Sequence, residues 1–351
     1  MPRPHSLLFK TAYAPRESRI SPKVSFIRMG VMLAALVVSI MPVRSATASS
    51  TPIQVVADIP PLHSLVSMVM DGVTEPALLL DTPDSVHHAS LRPSAARRLA
   101  EAEVVFFTDS QLTPWLAKPL RTLAQKAQQV EMARVQGSTT LAFRYGEPGH
   151  QHHGHHDDDH DKHHDDEHHA KKKSESHDPH LWLSAANART WLGAIAGVLA
   201  KTDPENADRY FTNAAAAILK LTEQQQDWQN KIDSQSFPPF LVGHDAFQYL
   251  ERDFGLEPIG AVILGDDAPP SPAQLATLRD KLAPYARLCV FVEPGFNSGL
   301  LEAVMPTTRI IVISLDPVGR AIPPGALHYQ QLMDSLLDGY QRCVKEAGAA
   351  E

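Results

Sequence analysis

Residues 147–177 can bury no core, and this fixes where the globular part of the chain must break. Eleven of the 18 histidines lie between His150 and His177, interleaved with Asp157, Asp158, Asp159, Asp161, Asp165, Asp166 and Glu167. No apolar periodicity runs through them, and such a composition predicts a disordered loop inside a folded lobe. The histidines give that loop a chemistry. Imidazoles beside carboxylates are weak ligands for borderline divalent metals such as zinc, whatever the conformation. A spacer has no need of imidazole, so metal handling is favoured over a merely solvated linker.

The tract runs into Asp178-Pro179-His180-Leu181-Trp182-Leu183. Pro179 fixes the backbone and three apolar residues anchor the segment, so His180 is held rigidly where the histidines upstream are loose. A histidine beside a tryptophan is often only a packed core residue. On this hexapeptide alone, ligand and core residue stand level.

With 351 residues, 43% of them hydrophobic, the chain can fill two domains or one large one. Its formal charge of −8 argues against a nucleic-acid surface. Arg3, Lys10, Arg16, Arg19, Lys23, Arg28 and Arg44 against Glu17 make residues 1–48 +6, which leaves −14 for the remainder. That basic stretch, the apolar run 29–43 and Ala46-Thr47-Ala48 before Ser49 have the pattern of a secretory signal with its cleavage site. Translation from Met1 or from Met29 fits equally. The apolar run is short for a bilayer span, and no other stretch is long or apolar enough to cross one. The mature chain is therefore expected in the periplasm, with no stable membrane insertion after cleavage; a retained anchor is the alternative. Two cysteines in an exported chain predict one disulfide, Cys289 with Cys343, against two free buried thiols.

From Pro52 the pattern is α/β. Strand-like runs at 53–58, 77–80 and 103–108 alternate with helical stretches at 62–70, 94–101 and 114–128. A second set of strands, 239–243, 257–262, 288–292 and 310–314, has helices between them and a final helix at 328–345. The fold class expected is α/β: two lobes with parallel sheets flanked by helices, joined by one long rigid helix, with a metal site in the cleft. The N-terminal lobe takes 49–202, the linking helix 203–234 and the C-terminal lobe 235–351. The helix itself reads 204–232, a rod of roughly 40 Å at 1.5 Å per residue, longer than one small lobe is wide. Ligands bind at the carboxyl ends of parallel strands. His63, His87-His88, Gly243-His244-Asp245, Glu293 and Asp316 all fall there in this reading, which points to a site between the lobes.

Together, HHASLRPS (87–94), the His-rich loop leading to DPHLWLS (178–184), FLVGHDAFQYLERDFGL (240–256), CVFVEPGF (289–296) and SLDPVG (314–319) resemble the zinc-binding proteins of bacterial ABC uptake systems, the ZnuA type. The resemblance extends over essentially everything from Pro52 onward. It implies one metal held between two lobes and delivered to an inner-membrane ABC permease. It makes His87, His180 and His244 the imidazole ligands; manganese-binding relatives place a carboxylate where His244 stands. Some zinc members carry a glutamate before the first histidine, where this chain has Val86, so the fourth ligand stays open between Asp316, His63 and water. His88, Asp245 and Glu293 are candidates to orient ligands. The partners expected are Zn²⁺ as transported ligand and the permease, with no nucleic acid, and the chain is expected to be a monomer.

Three histidines and an open position also describe a catalytic zinc, and His164-Asp-Asp-Glu167-His168 matches an inverted metalloprotease string. That string lies in the low-complexity tract rather than on a predicted helix, so no enzyme is expected. A metal-dependent adhesin or a zinc buffer without a permease is the other alternative.

Overall fold

The computed structural model describes residues 52–80, 85–144, 176–264, 269–305 and 309–348. The signal-like segment, the body of the His-rich tract and the His164–His168 string lie outside the described residues.

Two four-stranded sheets, each wholly parallel, carry the structure. The first contains β1 (Val55–Ala57), β2 (Ala77–Leu78), β3 (Val104–Phe107) and β4 (Gln128–Glu131), in the order β2-β1-β3-β4. The second repeats that order as β6-β5-β7-β8, with β5 at Phe240–His244, β6 at Ala261–Ile263, β7 at Arg287–Val292 and β8 at Arg309–Ser314. β3 and β5 run almost wholly buried, VVFF and FLVGH, because helices cover both faces of a parallel sheet and leave little room for polar alternation.

The helices α1 (Pro60–Met70), α2 (Pro93–Glu101) and α3 (Ala117–Thr122) belong to the first lobe, followed by α4 (Ala185–Thr202) and α5 (Ala207–Asp233). The second lobe has α6 (Gln248–Phe254), α7 (Pro272–Leu282), α8 (Gly299–Val304) and α9 (His328–Gly348). Local chemistry sets several ends. Ser184 caps α4 by accepting from the Asn187 amide, and Ser271 with Gln274 forms a capping box around Pro272 at the start of α7. Gly255, at φ +66°, ends α6 in the left-handed region where a side chain would be strained.

The long helix is present with a corrected start. Pro204–Asn206 forms a separate 3₁₀ turn, tied by the Asp203 carboxylate accepting from the Asn206 side-chain Nδ2 and the Tyr210 hydroxyl, and α5 follows it. Its buried residues Tyr210, Ala214, Leu221, Trp228 and Ile232 fall at spacings of four and seven, one continuous stripe. Near one end Asn213 donates to the carbonyls of Val69 and Asp71 at the end of α1, and near the other the Trp228 indole donates to Asp334 of α9, 2.7 Å away. The helix thus spans both lobes, which share one buried cluster and each have a second cluster of their own.

A second expectation is overturned at 114–128. A 3₁₀ turn (Pro114–Leu116) and α3 occupy 114–122, and Gln128–Glu131 pairs with β3 as a fourth strand. At the sheet's edge, half exposed, Gln-Gln-Val-Glu needs no apolar alternation, so composition gave no strand signal. Cys289 of β7 and Cys343 of α9 are disulfide-bonded, stapling the last helix to the second sheet. No described helix is long and apolar enough to cross a membrane.

Candidate metal centre

Each of the three histidines is delivered by different local chemistry. His87 follows β2 in a turn held by Val86, which is buried and whose carbonyl accepts the Trp115 indole N–H at 2.9 Å, while the His87 amide donates to Ser85 Oγ. His180 closes an Asp-Pro-His step in which one oxygen of Asp178 accepts both the His180 amide (3.0 Å) and its ring Nδ1–H (2.8 Å). The Leu181–Leu183 turn beyond it is fully buried, and Trp182 donates its indole N–H to the Pro317 carbonyl of the second lobe at 2.7 Å. His244 ends β5. Its neighbour Gly243 leaves room for the Phe296 ring, since a Cβ there would lie 2.8 Å from that ring and 3.2 Å from Val292 and would force the side chains to shift.

These three side chains converge, with one donor atom from each lying within 4.8 Å of the others. The ring centroids are 5.3 Å apart for His87 and His180, 6.0 Å for His87 and His244, and 5.2 Å for His180 and His244. Nitrogens around a tetrahedral zinc at ~2.05 Å are about 3.3 Å apart, so small side-chain rotations separate this arrangement from a closed coordination shell. The tautomers are set as well. His244 Nδ1–H donates to Glu293 at 2.6 Å, as His180 does to Asp178, which puts the lone pair of both rings on Nε2. Burial alone would raise the Glu293 carboxyl, but His244, His180 and His87 together outweigh it and hold the acid below its usual range. Imidazoles backed by carboxylates are oriented and more basic donors, an arrangement suited to zinc.

Not every candidate from the sequence joins them. Asp316 lines a cavity of about 30 Å³ with His87, His180 and Glu293, but it stands outside the three-histidine group. Its carboxylate is taken up by the Val318 amide and by the amide and guanidinium of Arg320. His63 is also outside the group. It lies one turn into α1 rather than on the rim, buried against the Pro76 carbonyl at 3.0 Å, because α1 begins at Pro60, earlier than its apolar pattern indicated. His88 is exposed beside the site. Glu293 does orient a histidine, whereas Asp245 is paired with Arg144.

Sequence reasoning assigned no role to Asp178, Tyr249 or Arg144. The Asp-x-His spacing signals the first, since a carboxylate two residues before a histidine can reach both its amide and its ring. Tyr249 accepts the Leu141 amide and donates to the Asp178 carbonyl, and Arg144 bridges Asp245 and Glu251. These contacts join residues 71 to 108 positions apart in the chain, and no local pattern marks them. Burial drives the Glu251 carboxyl up to about 7 even though Arg144 and the Tyr340 hydroxyl oppose the shift.

The profile of the family described as "ZnuA: Zinc-uptake complex component A periplasmic" matches residues 55–343. The "High-affinity zinc uptake system protein ZnuA" of Brucella suis is 35% identical over 306 residues, covering 83% of this chain and 92% of that protein. The protein of the same name from Paracoccus denitrificans is 33% identical over 321 residues, with coverages of 90% and 97%. Among solved structures, the SBP FpvC from Pseudomonas aeruginosa in complex with Mn²⁺ superposes with a TM-score of 0.66 at 21% identity, covering 85% of this chain and 100% of that one. At that identity the likeness is one of fold.

Proposed function

The chain belongs to the ZnuA family, and from that premise we propose that it is a zinc receptor of the periplasm that captures Zn²⁺ on His87, His180 and His244 and passes it to an ABC permease. The observation that carries this reading is the convergence of three histidines from separate elements, two of them oriented by carboxylates, where the lobes meet. An all-imidazole set suits Zn²⁺ better than harder cations, which favour carboxylate and water. Solvent is the fourth ligand in this reading, which is supported by a cavity beside His87 and His180, lined also by Asp316 and Glu293, with room for about one water. Asp316 closes its wall.

Metal is cargo here, so the site must hold it tightly and still release it. Neutral imidazoles serve both ends, because binding requires the deprotonated ring and the carboxylates of Asp178 and Glu293 accept hydrogen bonds from ring Nδ1 of His180 and His244. A strain lacking the gene tests the transport role. Growth in chelator-depleted medium should return with the wild-type chain and fail with His180→Ala secreted to the same level. Equal rescue by both, or rescue without added intracellular zinc, would overturn the proposal.

A further inference from the structure

One of the segments through which the second lobe rests on the first runs from His244 at the end of β5 through α6. The Tyr249 hydroxyl accepts the Leu141 amide and donates to the Asp178 carbonyl, and Gln248 donates to the Ala142 carbonyl at 3.2 Å. The Asp253 carboxylate accepts the Ser184 hydroxyl and the Ala185 amide at the start of α4. Only one of these cross-lobe ties carries a positive charge. Arg144, from the first lobe, grips Asp245 with one nitrogen of its guanidinium and Glu251 with another at 2.7 Å, and Glu251 in turn accepts the Tyr340 hydroxyl of α9 at 3.0 Å. Asp245 and Glu251 are 5% and 1% exposed, so neither carboxylate has much water to replace the guanidinium.

Asp245 follows His244 directly, and Asp178 both orients His180 and receives Tyr249. We propose that Arg144 is a positioning residue of the metal site: by holding Asp245 and Glu251 from across the lobe boundary, it fixes His244 in register with His180 before any metal arrives. The inference rests on the zinc-receptor reading and assigns a residue outside the ligand set to that site's affinity. A guanidinium is suited to the task because its planar fork reaches two carboxylates at a set angle, whereas an ammonium supplies charge without that geometry. Pre-organised ligands lose less freedom on binding, so loosening one of three should weaken the metal rather than change how many are bound.

The test compares the purified full chain with Arg144→Lys and Arg144→Met, using Zn²⁺ in competition with a chromophoric chelator and Co²⁺ as a spectroscopic probe. His180→Ala serves as the control that removes a ligand. Both Arg144 variants should keep one tight metal per chain with at least ten-fold weaker affinity, and should show altered intensity of the Co²⁺ ligand-field bands. Arg144→Lys should melt near the wild-type temperature, which separates placement of His244 from loss of stability and keeps the test valid if Arg144→Met folds poorly. Wild-type affinity and Co²⁺ spectra in Arg144→Lys would overturn the inference and leave the receptor reading standing. A wild-type chain with no tight site, or with a tight site that survives in His180→Ala, would overturn both.

Discussion

Asp178 is the single residue whose removal most cleanly separates orienting a ligand from being one. Its carboxylate touches His180 at both the amide and the ring, so Asp178→Asn should keep the shape of the turn but lose the anionic acceptor. Zinc affinity is expected to fall roughly 10–100-fold, with stoichiometry unchanged in a chelator competition; an unchanged affinity would remove Asp178 from the site. A second residue governs pH dependence away from the metal. Asp58 is fully buried at the end of β1, accepting from the amides of Ile59 and Thr108 and from the Thr108 hydroxyl, and burial pushes its carboxyl from 3.8 up to about 7. In the unfolded chain it ionises from about pH 4 upward, while in the folded chain it keeps its proton until near 7. Its contribution to stability is therefore complete below about pH 4 and is lost as pH rises through 7. Chelator-treated Asp58→Asn should show a flatter fall in stability between pH 4 and 7 than the wild type, whatever its absolute level; parallel slopes would contradict the assignment.

At the scale of elements, strong periodicity was legible and weak pairing was not. β3, β5 and β7 are apolar runs that sequence alone marks as buried strands, and α9 carries a clear apolar stripe. The edge strand β4 is held by backbone pairing to β3 and by the Gln129 side chain donating to the Leu120 and Ala124 carbonyls, none of which leaves an apolar signature. The three histidines were legible because each lies in a short motif, and Glu293 because it ends a strand; Arg144 was not, because its partners are set by tertiary folding alone. The Cys289–Cys343 link followed from cysteine count and an expected export. It closes a separation of 54 residues between β7 and α9, for which chain entropy gives about 4 kcal/mol of stabilisation. The Tyr340 ring packs 4.3 Å from Phe291 across the same interface, so reduction should lower the urea midpoint without releasing α9 from the sheet. A midpoint insensitive to reductant would contradict this.

For the whole molecule, the question is how far the lobes move when metal binds. α5 runs between both lobes, Trp182 is bonded to Pro317, the Tyr329 amide donates to Ser64 of α1, and the two lobes share one buried cluster. Hinge closure needs linkers that absorb large backbone changes, and a 27-residue helix does not supply them. With the donors already within 4.8 Å, little movement is required. Zinc should therefore raise the melting temperature clearly, on the order of 4 kcal/mol of stabilisation at a thousand-fold excess over Kd, with no marked compaction in solution scattering. Compaction on the scale of a domain closure would refute the rigid-frame account.

The central claim is that one tight zinc belongs to His87, His180 and His244, and that the histidines of residues 151–176 are separate and weaker. Folded ligands lose little entropy on binding, and the composition of residues 151–176, with many imidazoles and carboxylates, offers several weak sites in place of one. A calorimetric zinc titration at neutral pH of the wild type, a variant lacking residues 151–176 and His180→Ala tests this directly. The account predicts that the deletion removes the weak sites and keeps one tight zinc, and that His180→Ala does the reverse. A tight site lost with the deletion, or kept in His180→Ala, would contradict it.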